Sequence, residues 1–475
     1  MSILDGIVET RRRRVAAEGH ALGASLPAAR QAPVVPFGGE PLLICEIKRR
    51  SPSRGAIAPA MDAVEQAGLY AARGARCLSV LTERDHFGGR LEDLQAVKQA
   101  FPGLSVLRKD FLLDAEDVEV SWRAGADAVL LIASVLDGDA LAALYRKARG
   151  LGMQALVEVH DAGDAVKCRA FAPEITGINC RDLTTFRIDL AHPLLLRRRV
   201  DWETRLVFES GIRSQEDVRL AASGGFDGIL VGEAAVREPG LIPELLAAFR
   251  APAGGFWKRL YGGKRDGRPL VKVCGVTREV DARAAADLGA DILGFVFAPS
   301  KRRADPALLR DIADLPVLKA AVAVAGDDSE PPGLDPTVRG LLDDGLIDAV
   351  QFHGSERPED CGAMAWPYYK ALRIGTASDV EGMDGFRCPR VLCDAFVPGA
   401  SGGTGRSIPA DLVRAAAARR PLWIAGGIGP DTVGELMRSF RPELIDASSG
   451  LEEDPGLKDR DRMTRFFKEI DHAAL

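Results

Sequence analysis

Seven polar side chains stand where apolar stretches end in the first half of this 475-residue sequence: Glu46, Lys48, Lys109, Glu158, Asn179, Glu209 and Ser210. A charge closing an apolar run is costly unless it is paired or used. One such residue reads as a strand emerging into solvent; five runs ending this way read as one site. Lysines and carboxylates crowded into a half-buried space shift one another's pKa values in both directions, which provides an acid and a base near neutral pH. The plainer alternative is a pair of ion pairs, Lys48 with Glu46 and Lys109 with Glu158. In the second half Cys274 closes the run LVKVCG (270–275). Such a cysteine is as readily a small core residue. At a rim, however, a thiolate is a competent general base if neighbouring charge brings its pKa below about 8.5.

The elements that must carry these residues are short aliphatic runs alternating with helical patterns. The runs fall at 42–48, 77–82, 104–110, 128–133, 154–159, 175–179, 205–210 and 228–232, then at 270–275, 292–297, 318–324, 348–353, 368–372, 390–395, 422–427 and 444–449. Continuous apolar strands separated by helices predict parallel sheets covered on both faces. Eight units in each half predict an α/β chain of two tandem (β/α)8 TIM barrels rather than open doubly wound sheets. Residues 251–269, rich in Gly, Pro and Lys/Arg, read as a linker between a first domain at 1–250 and a second at 270–475, with Trp257 and Tyr261 pinned against a barrel. In a barrel all the strand C-termini meet at one mouth, and the loops after strands seven and eight are the usual phosphate cradle. Two glycine-bearing turns follow those strands in the first half, FESGI (208–212) and LVGEAA (230–235). Ser210, Gly211, Gly232 and Glu233 are therefore expected at a phosphate, the last through its backbone N–H. A phosphorylated metabolite is the expected substrate class.

Composition narrows the partners. The formal net charge is −6 with 27% charged residues and no dominant basic face, which argues against nucleic acid. The eight cysteines form no C-x-x-C pair and the six histidines are scattered, so no metal is expected and reduced thiols in cytoplasm are the simplest reading. No stretch reaches transmembrane length, and the start MSILDGIVETRRRR lacks a signal peptide's apolar core. The Arg11–Arg14 run is read as a solvated helix face.

In order, CEIKRRSPSRG (45–55), LTERDHFGG (81–89), LRKDF (107–111), LVEVH (156–160), GINCRDL (177–183) and FESGI (208–212) resemble indole-3-glycerol-phosphate synthase. The resemblance implies ring closure of 1-(2-carboxyphenylamino)-1-deoxyribulose 5-phosphate with loss of CO2 and water. It implies Lys109 as the acid, Glu158 as its partner in dehydration, and Lys48 beside Glu46 holding the substrate carboxylate and sharing in acid catalysis. It further implies Asn179 and Glu209 as orienting groups, Arg181 and Ser51 near the mouth, and Phe87 stacked on the anthranilate ring. The second half, through VKVCGVT (271–277), FVFAPSKRR (295–303), VQFHGSE (350–356), LCDAF (392–396), GGTGRS (402–407), IAGGI (424–428) and DASSGLE (446–452), resembles phosphoribosylanthranilate isomerase. That resemblance implies an Amadori rearrangement with Asp394 as acid and Cys274 as base. Arg302 would hold the anthranilate carboxylate or position the ring. Gly403, Gly426, Gly427, Ser448 and Ser449 would bind phosphate. His353 stands near the mouth as a substrate contact or as a structural histidine. GGTGRS is not a nucleotide P-loop, since no Gly-Lys-Ser/Thr follows.

The product of the second reaction is the substrate of the first, and no cofactor is implied. Two other readings compete: a phosphosugar isomerase of histidine biosynthesis, whose chemistry pairs two aspartates, and a catalytically dead barrel kept as scaffold. The linker is short and each mouth must stay open, so the intermediate is expected to diffuse freely and the chain to be a monomer.

Overall fold

The computed structural model describes residues 3–52, 55–182, 187–250, 254–263, 267–324, 334–362, 364–395 and 407–474. The chain divides into two compact units, Met1–Pro252 and Ala253–Leu475.

In the first unit eight parallel strands close into a barrel, each hydrogen-bonded to its sequence neighbours and the last to the first. They are β1 (Leu42–Ile47), β2 (Cys77–Leu81), β3 (Ser105–Lys109), β4 (Ala128–Ile132), β5 (Gln154–Val159), β6 (Ile175–Asn179), β7 (Arg205–Glu209) and β8 (Gly228–Val231). Side chains of a strand alternate faces, so the inward set repeats every second residue. Leu42 and Ile44, Leu107, Leu156 and Val207 fill the barrel interior. The next inward positions on those strands are Glu46, Lys109, Glu158 and Glu209, one layer nearer the C-terminal mouth. The alternation that packs the core thereby delivers four ionisable groups to one rim.

The second unit repeats the plan with β9 (Leu270–Cys274), β10 (Ile292–Val296), β11 (Leu318–Ala323), β12 (Ala349–Phe352), β13 (Tyr368–Ile374), β14 (Val391–Ala395), β15 (Trp423–Ile424) and β16 (Leu444–Ala447), closed by β9 against β16. Strand β15 is shorter than its apolar run because Gly426 and Gly427, at φ +100° and +62°, turn the chain into the left-handed region directly beyond it. Part of the stretch read as a linker is a helix, Phe256–Gly262, which belongs to the second unit. Its Phe256, Trp257, Leu260 and Tyr261 are buried. Trp257 packs on Trp423 and Phe256 on Tyr369, with ring centroids 5.9 and 6.1 Å apart. Seven residues are too few to show a helical period in sequence, which is why composition dominated the reading of this segment.

The helix Ile3–Glu18 corrects the reading of the arginine run. Arg11 is 3% exposed, its Nη2 2.7 Å from Asp117, within an electrostatic cluster that includes Asp110 and Glu83. Arg14 pairs with Asp85 and Glu18. Only Arg12 and Arg13 fit a solvated face. Apart from Glu18, four residues on, the partners lie about 70 and 100 residues away in sequence, where a local charge pattern carries no sign of them. Among the described residues no helix is long and apolar enough to cross a membrane.

Candidate functional site

A cavity of about 390 Å³ opens at the C-terminal mouth of the first barrel. All thirteen residues singled out in this half line it: Glu46, Lys48, Ser51, Phe87, Lys109, Glu158, Asn179, Arg181, Glu209, Ser210, Gly211, Gly232 and Glu233. Lys109, the last residue of β3, is the centre. Its Nζ lies 3.8 Å from Glu46, 3.8 Å from Glu158 and 3.9 Å from Glu209, carboxylates supplied by β1, β5 and β7. Burial opposes a charge on Lys109, but the three carboxylates outweigh it and raise its pKa, so the ammonium form is held. Burial also opposes the charge on Glu46, and Lys48 and Lys109 overcome it, so Glu46 stays below the usual carboxylate range. Lys48 hydrogen-bonds Glu46 directly.

Glu158 and Glu209 behave as a split pair. Burial raises both, yet Lys109 and His160 draw Glu158 down, while Glu209, facing the charge of Glu158, stays well above the ordinary carboxyl value. Glu209 thus holds its proton more tightly than Glu158, and two inequivalent carboxyl groups face the same space. One oxygen of Glu158 and both of Glu209 are buried without a hydrogen-bond partner. A substrate hydroxyl or amine entering the cavity would satisfy them.

Beside this group the two loops expected at a phosphate take unusual backbone. Ser210 and Gly211 have φ of +68° and +76°. A non-glycine residue there is uncommon, and such strain gathers at functional turns. A Cβ on Gly232 would come within 2.7 Å of the Glu46 carboxylate and 3.1 Å of the Lys48 ammonium, so a larger residue here would displace the charged pair. Asn179 accepts from the Arg181 backbone N–H at 3.0 Å. Phe87 faces Phe111 across the mouth, with ring centroids 6.4 Å apart. Leu4 and Ile7 of the first helix also line the cavity.

In the second barrel Cys274 ends β9, partly exposed, and Asp394 is on β14. Burial pushes the Cys274 thiol up, with Lys272 and Lys458 pulling against it without cancelling it. The condition that neighbouring charge depress this thiol is therefore not met. His353 Nε2 lies 3.1 Å from Asp394 Oδ2 and its Nδ1 lies 3.0 Å from Gln351 Nε2. Lys272 donates to Gln351 Oε1 at 2.7 Å and to Asp446 at 2.6 Å. Arg302 is clamped on Glu452 through Nε and Nη2 at 2.8–3.0 Å, and Lys458 donates to the same carboxylate at 2.8 Å. To hold a substrate carboxylate, Arg302 must exchange or share Glu452. Ser448 donates to the Cys274 carbonyl at 3.0 Å. Ser449 opens a short 3-10 turn, and the backbone of Gly450 comes close enough to Ile428 that a Cβ would sit 2.3 Å from its carbonyl oxygen. The loops bearing Gly426–Gly427 and Ser448–Ser449 are thus packed together. Gly403 lies outside the described residues.

The family model for indole-3-glycerol phosphate synthase matches residues 8–243, and that for N-(5'phosphoribosyl)anthranilate (PRA) isomerase matches residues 271–469. The chain belongs to both families. A multifunctional tryptophan biosynthesis protein of Schizosaccharomyces pombe is 30% identical over 91% of this chain and 59% of its own length. An indole-3-glycerol phosphate synthase of Albidiferax ferrireducens is 39% identical over 52% of this chain and 98% of its own length. A tryptophan biosynthesis protein of Phytophthora nicotianae is 30% identical over 86% of this chain and 88% of its own. The chain spans about three fifths of the length of the multifunctional relatives it matches.

Within the synthase-family unit His160 is the residue that sequence reasoning passed over. Its Nε2 is 3.1 Å from Glu158 and its Nδ1 3.7 Å from Asp164. Burial would lower its pKa; Asp164 and Glu158 outweigh burial and lift it from 6.5 to about 9. A histidine whose folded pKa lies above its unfolded value stabilises the fold fully below the unfolded pKa, and that contribution disappears as pH rises through the folded one. The predicted window is therefore pH 6.5 to 9, over which the His160 contribution, on the order of 3 kcal/mol, is lost. Urea denaturation of this unit as a function of pH should show a steeper decline for the parent than for His160→Gln across that window; parallel curves would contradict the assignment. In the isomerase-family unit the residues missed are Lys272, Gln351, Asp446, Glu452 and Lys458, all buried or nearly so.

Proposed function

We propose that the chain carries two active sites for consecutive steps of tryptophan biosynthesis. The second unit isomerises N-(5-phosphoribosyl)anthranilate to 1-(2-carboxyphenylamino)-1-deoxyribulose 5-phosphate, and the first closes that product to indole-3-glycerol phosphate with loss of CO2 and water. In the first unit Lys109 protonates the ketone oxygen as the aromatic carbon attacks. Glu158, the more acidic of the pair, and Glu209, the more basic, then serve the dehydration that forms the indole ring. Lys48 takes the substrate carboxylate, Phe87 stacks on the ring, Ser51, Asn179 and Arg181 position the substrate, and the Ser210–Gly211 and Gly232–Glu233 loops cradle the phosphate.

In the second unit Asp394 protonates the furanose oxygen and opens the ring to a Schiff base. Cys274, as thiolate, removes the C2′ proton, and the resulting enolamine becomes the ketone. Arg302 takes the anthranilate carboxylate, His353 contacts Asp394, and the loops at Gly403, Gly426–Gly427 and Ser448–Ser449 take the phosphate. The histidine-biosynthesis alternative is disfavoured, because that chemistry pairs two aspartates and here a cysteine stands on the strand opposite Asp394. Both units retain their acid–base groups, which speaks against a scaffold role for either.

The observation that carries this reading is the ammonium of Lys109 within 4 Å of three carboxylates from three strands, with orphaned oxygens, in one cavity with the two glycine turns. The small phosphorylated anthranilates are the partners we assign, with no nucleic acid or membrane; eight free cysteines suit a cytoplasmic location, and we take the chain as a monomer. Purified chain given each phosphorylated anthranilate separately should turn over both. Turnover of only one, or of neither, would reject the two-site reading.

A further inference from the structure

A hydrogen-bonded row crosses the interior of the second barrel, from Asp446 on β16 through Lys272 on β9, Gln351 on β12 and His353 just beyond it to Asp394 on β14. We propose that Gln351 is a positioning residue that fixes His353 as its neutral Nε2–H tautomer, so that His353 orients Asp394 without being able to take its proton. This rests on the reading of Asp394 as the acid of the isomerase site.

The assignment follows by elimination along the row. The Lys272 ammonium is fully buried and has only N–H donors, so the Gln351 atom 2.7 Å away must be the carbonyl oxygen. The amide NH2 is then the group 3.0 Å from His353 Nδ1, and it donates. Nδ1 must therefore present its lone pair, and the ring proton resides on Nε2, from which it is donated to Asp394 Oδ2 at 3.1 Å. The other Asp394 oxygen accepts from the Ala395 backbone N–H at 2.9 Å. A second proton on the ring would set Nδ1–H against the Gln351 NH2, two donors face to face in a buried site. His353 is thus confined to one state: it holds the carboxyl in place and, with Nε2 already protonated, offers no lone pair on that side.

Lys272 is what keeps Gln351 from flipping, and Asp446 in turn anchors Lys272 at 2.6 Å. The charged groups that bear on His353 are Asp394 from β14, Asp446 from β16, Lys272 from β9 through the amide, and Arg373 from β13, whose Nη2 reaches the His353 carbonyl at 3.5 Å. The signal in sequence is positional: Gln351 and Lys272 sit two residues before His353 and Cys274, one inward layer below each.

The decisive measurement is the 15N chemical shifts of His353 in the full, histidine-labelled chain at pH 7 and at about pH 6, near the ordinary histidine pKa. We expect an unprotonated Nδ1 and a protonated Nε2 at both. In Gln351→Glu a carboxylate accepts from both Lys272 and Nδ1–H, so His353 should become an imidazolium. Isomerase kcat should fall roughly 10–100-fold with KM changed little, by the magnitude usual for a residue acting through another. The pH optimum should move to lower pH, because a cation beside Asp394 favours its ionised form and the acid is lost earlier. A protonated Nδ1 in the parent overturns the proposal, as does a Gln351→Glu chain that melts like the parent and keeps its tautomer, kcat and optimum. If that variant does not fold, the parent tautomer alone decides. A parent chain without isomerase activity would instead reject the functional reading, while the tautomer would still test the row.

Discussion

Lys109→Ala should abolish indole-3-glycerol phosphate formation while the isomerase activity of the same chain persists. The expected loss is about 10³-fold or more, since two contributions go together. General acid catalysis by a positioned group supplies typically 10²–10⁴-fold, and Lys109 is the cation around which Glu46, Glu158 and Glu209 are arranged. Without it Glu158 loses the larger of the two positive charges that favour its ionised form, His160 being the other, so proton uptake weakens the base as the acid is removed. Removing one partner of a buried ion cluster costs about 3–5 kcal/mol when the remaining charges stay uncompensated, and proton uptake relieves part of that. A melting curve for the first unit therefore belongs beside the assay. A folded Lys109→Ala chain that kept even a tenth of the synthase activity would exclude Lys109 as the acid.

The second large effect is expected at Cys274. Cys274→Ala removes only a sulfur from a position that is already small, so the barrel should be little disturbed, yet isomerisation should fall by about 10²–10⁴-fold and synthase activity should not. The sign of the pH dependence follows from the thiol. Its pKa is pushed above the ordinary value by burial, and the active base is the thiolate, so the competent fraction grows with pH. The thiolate fraction of the parent, read as the rate of Cys274 alkylation against Cys274→Ala, should climb about tenfold per unit from pH 7 up to at least the ordinary thiol value near 8.5. An alkylation rate independent of pH over that range would mean that the thiol is already ionised.

The fold was legible because buried parallel strands leave uninterrupted aliphatic runs, and sixteen of them separated by helical patterns admit few architectures. The first site was legible for the opposite reason: Glu46, Lys109, Glu158 and Glu209 break those runs at their ends, where hydrophobic burial would never place them. What escaped notice lay inside the strands or far apart in sequence. Lys272, Gln351 and Asp446 precede Cys274, His353 and Ser448 by two residues each, and His160 follows Glu158 by two. The strand period ties Lys272 and Asp446 to the inward set, but only the closed barrel brings them together. The burial of Arg11 depends on Asp117, about a hundred residues away, and the helix Phe256–Gly262 is too short to show a period beside its glycines. The state of the Cys274 thiol depends on the balance between burial and Lys272, which residue types do not disclose.

The central claim is that one chain holds two separate, independently sufficient sites. Its most direct test is to mix Lys109→Ala and Cys274→Ala chains in equal amounts and supply N-(5-phosphoribosyl)anthranilate. Each variant alone should fail to yield indole-3-glycerol phosphate, and the mixture should produce it, as intermediate released by the first variant is closed by the second. A mixture that stays inert, although each variant still performs its own half-reaction when assayed alone, would contradict the account.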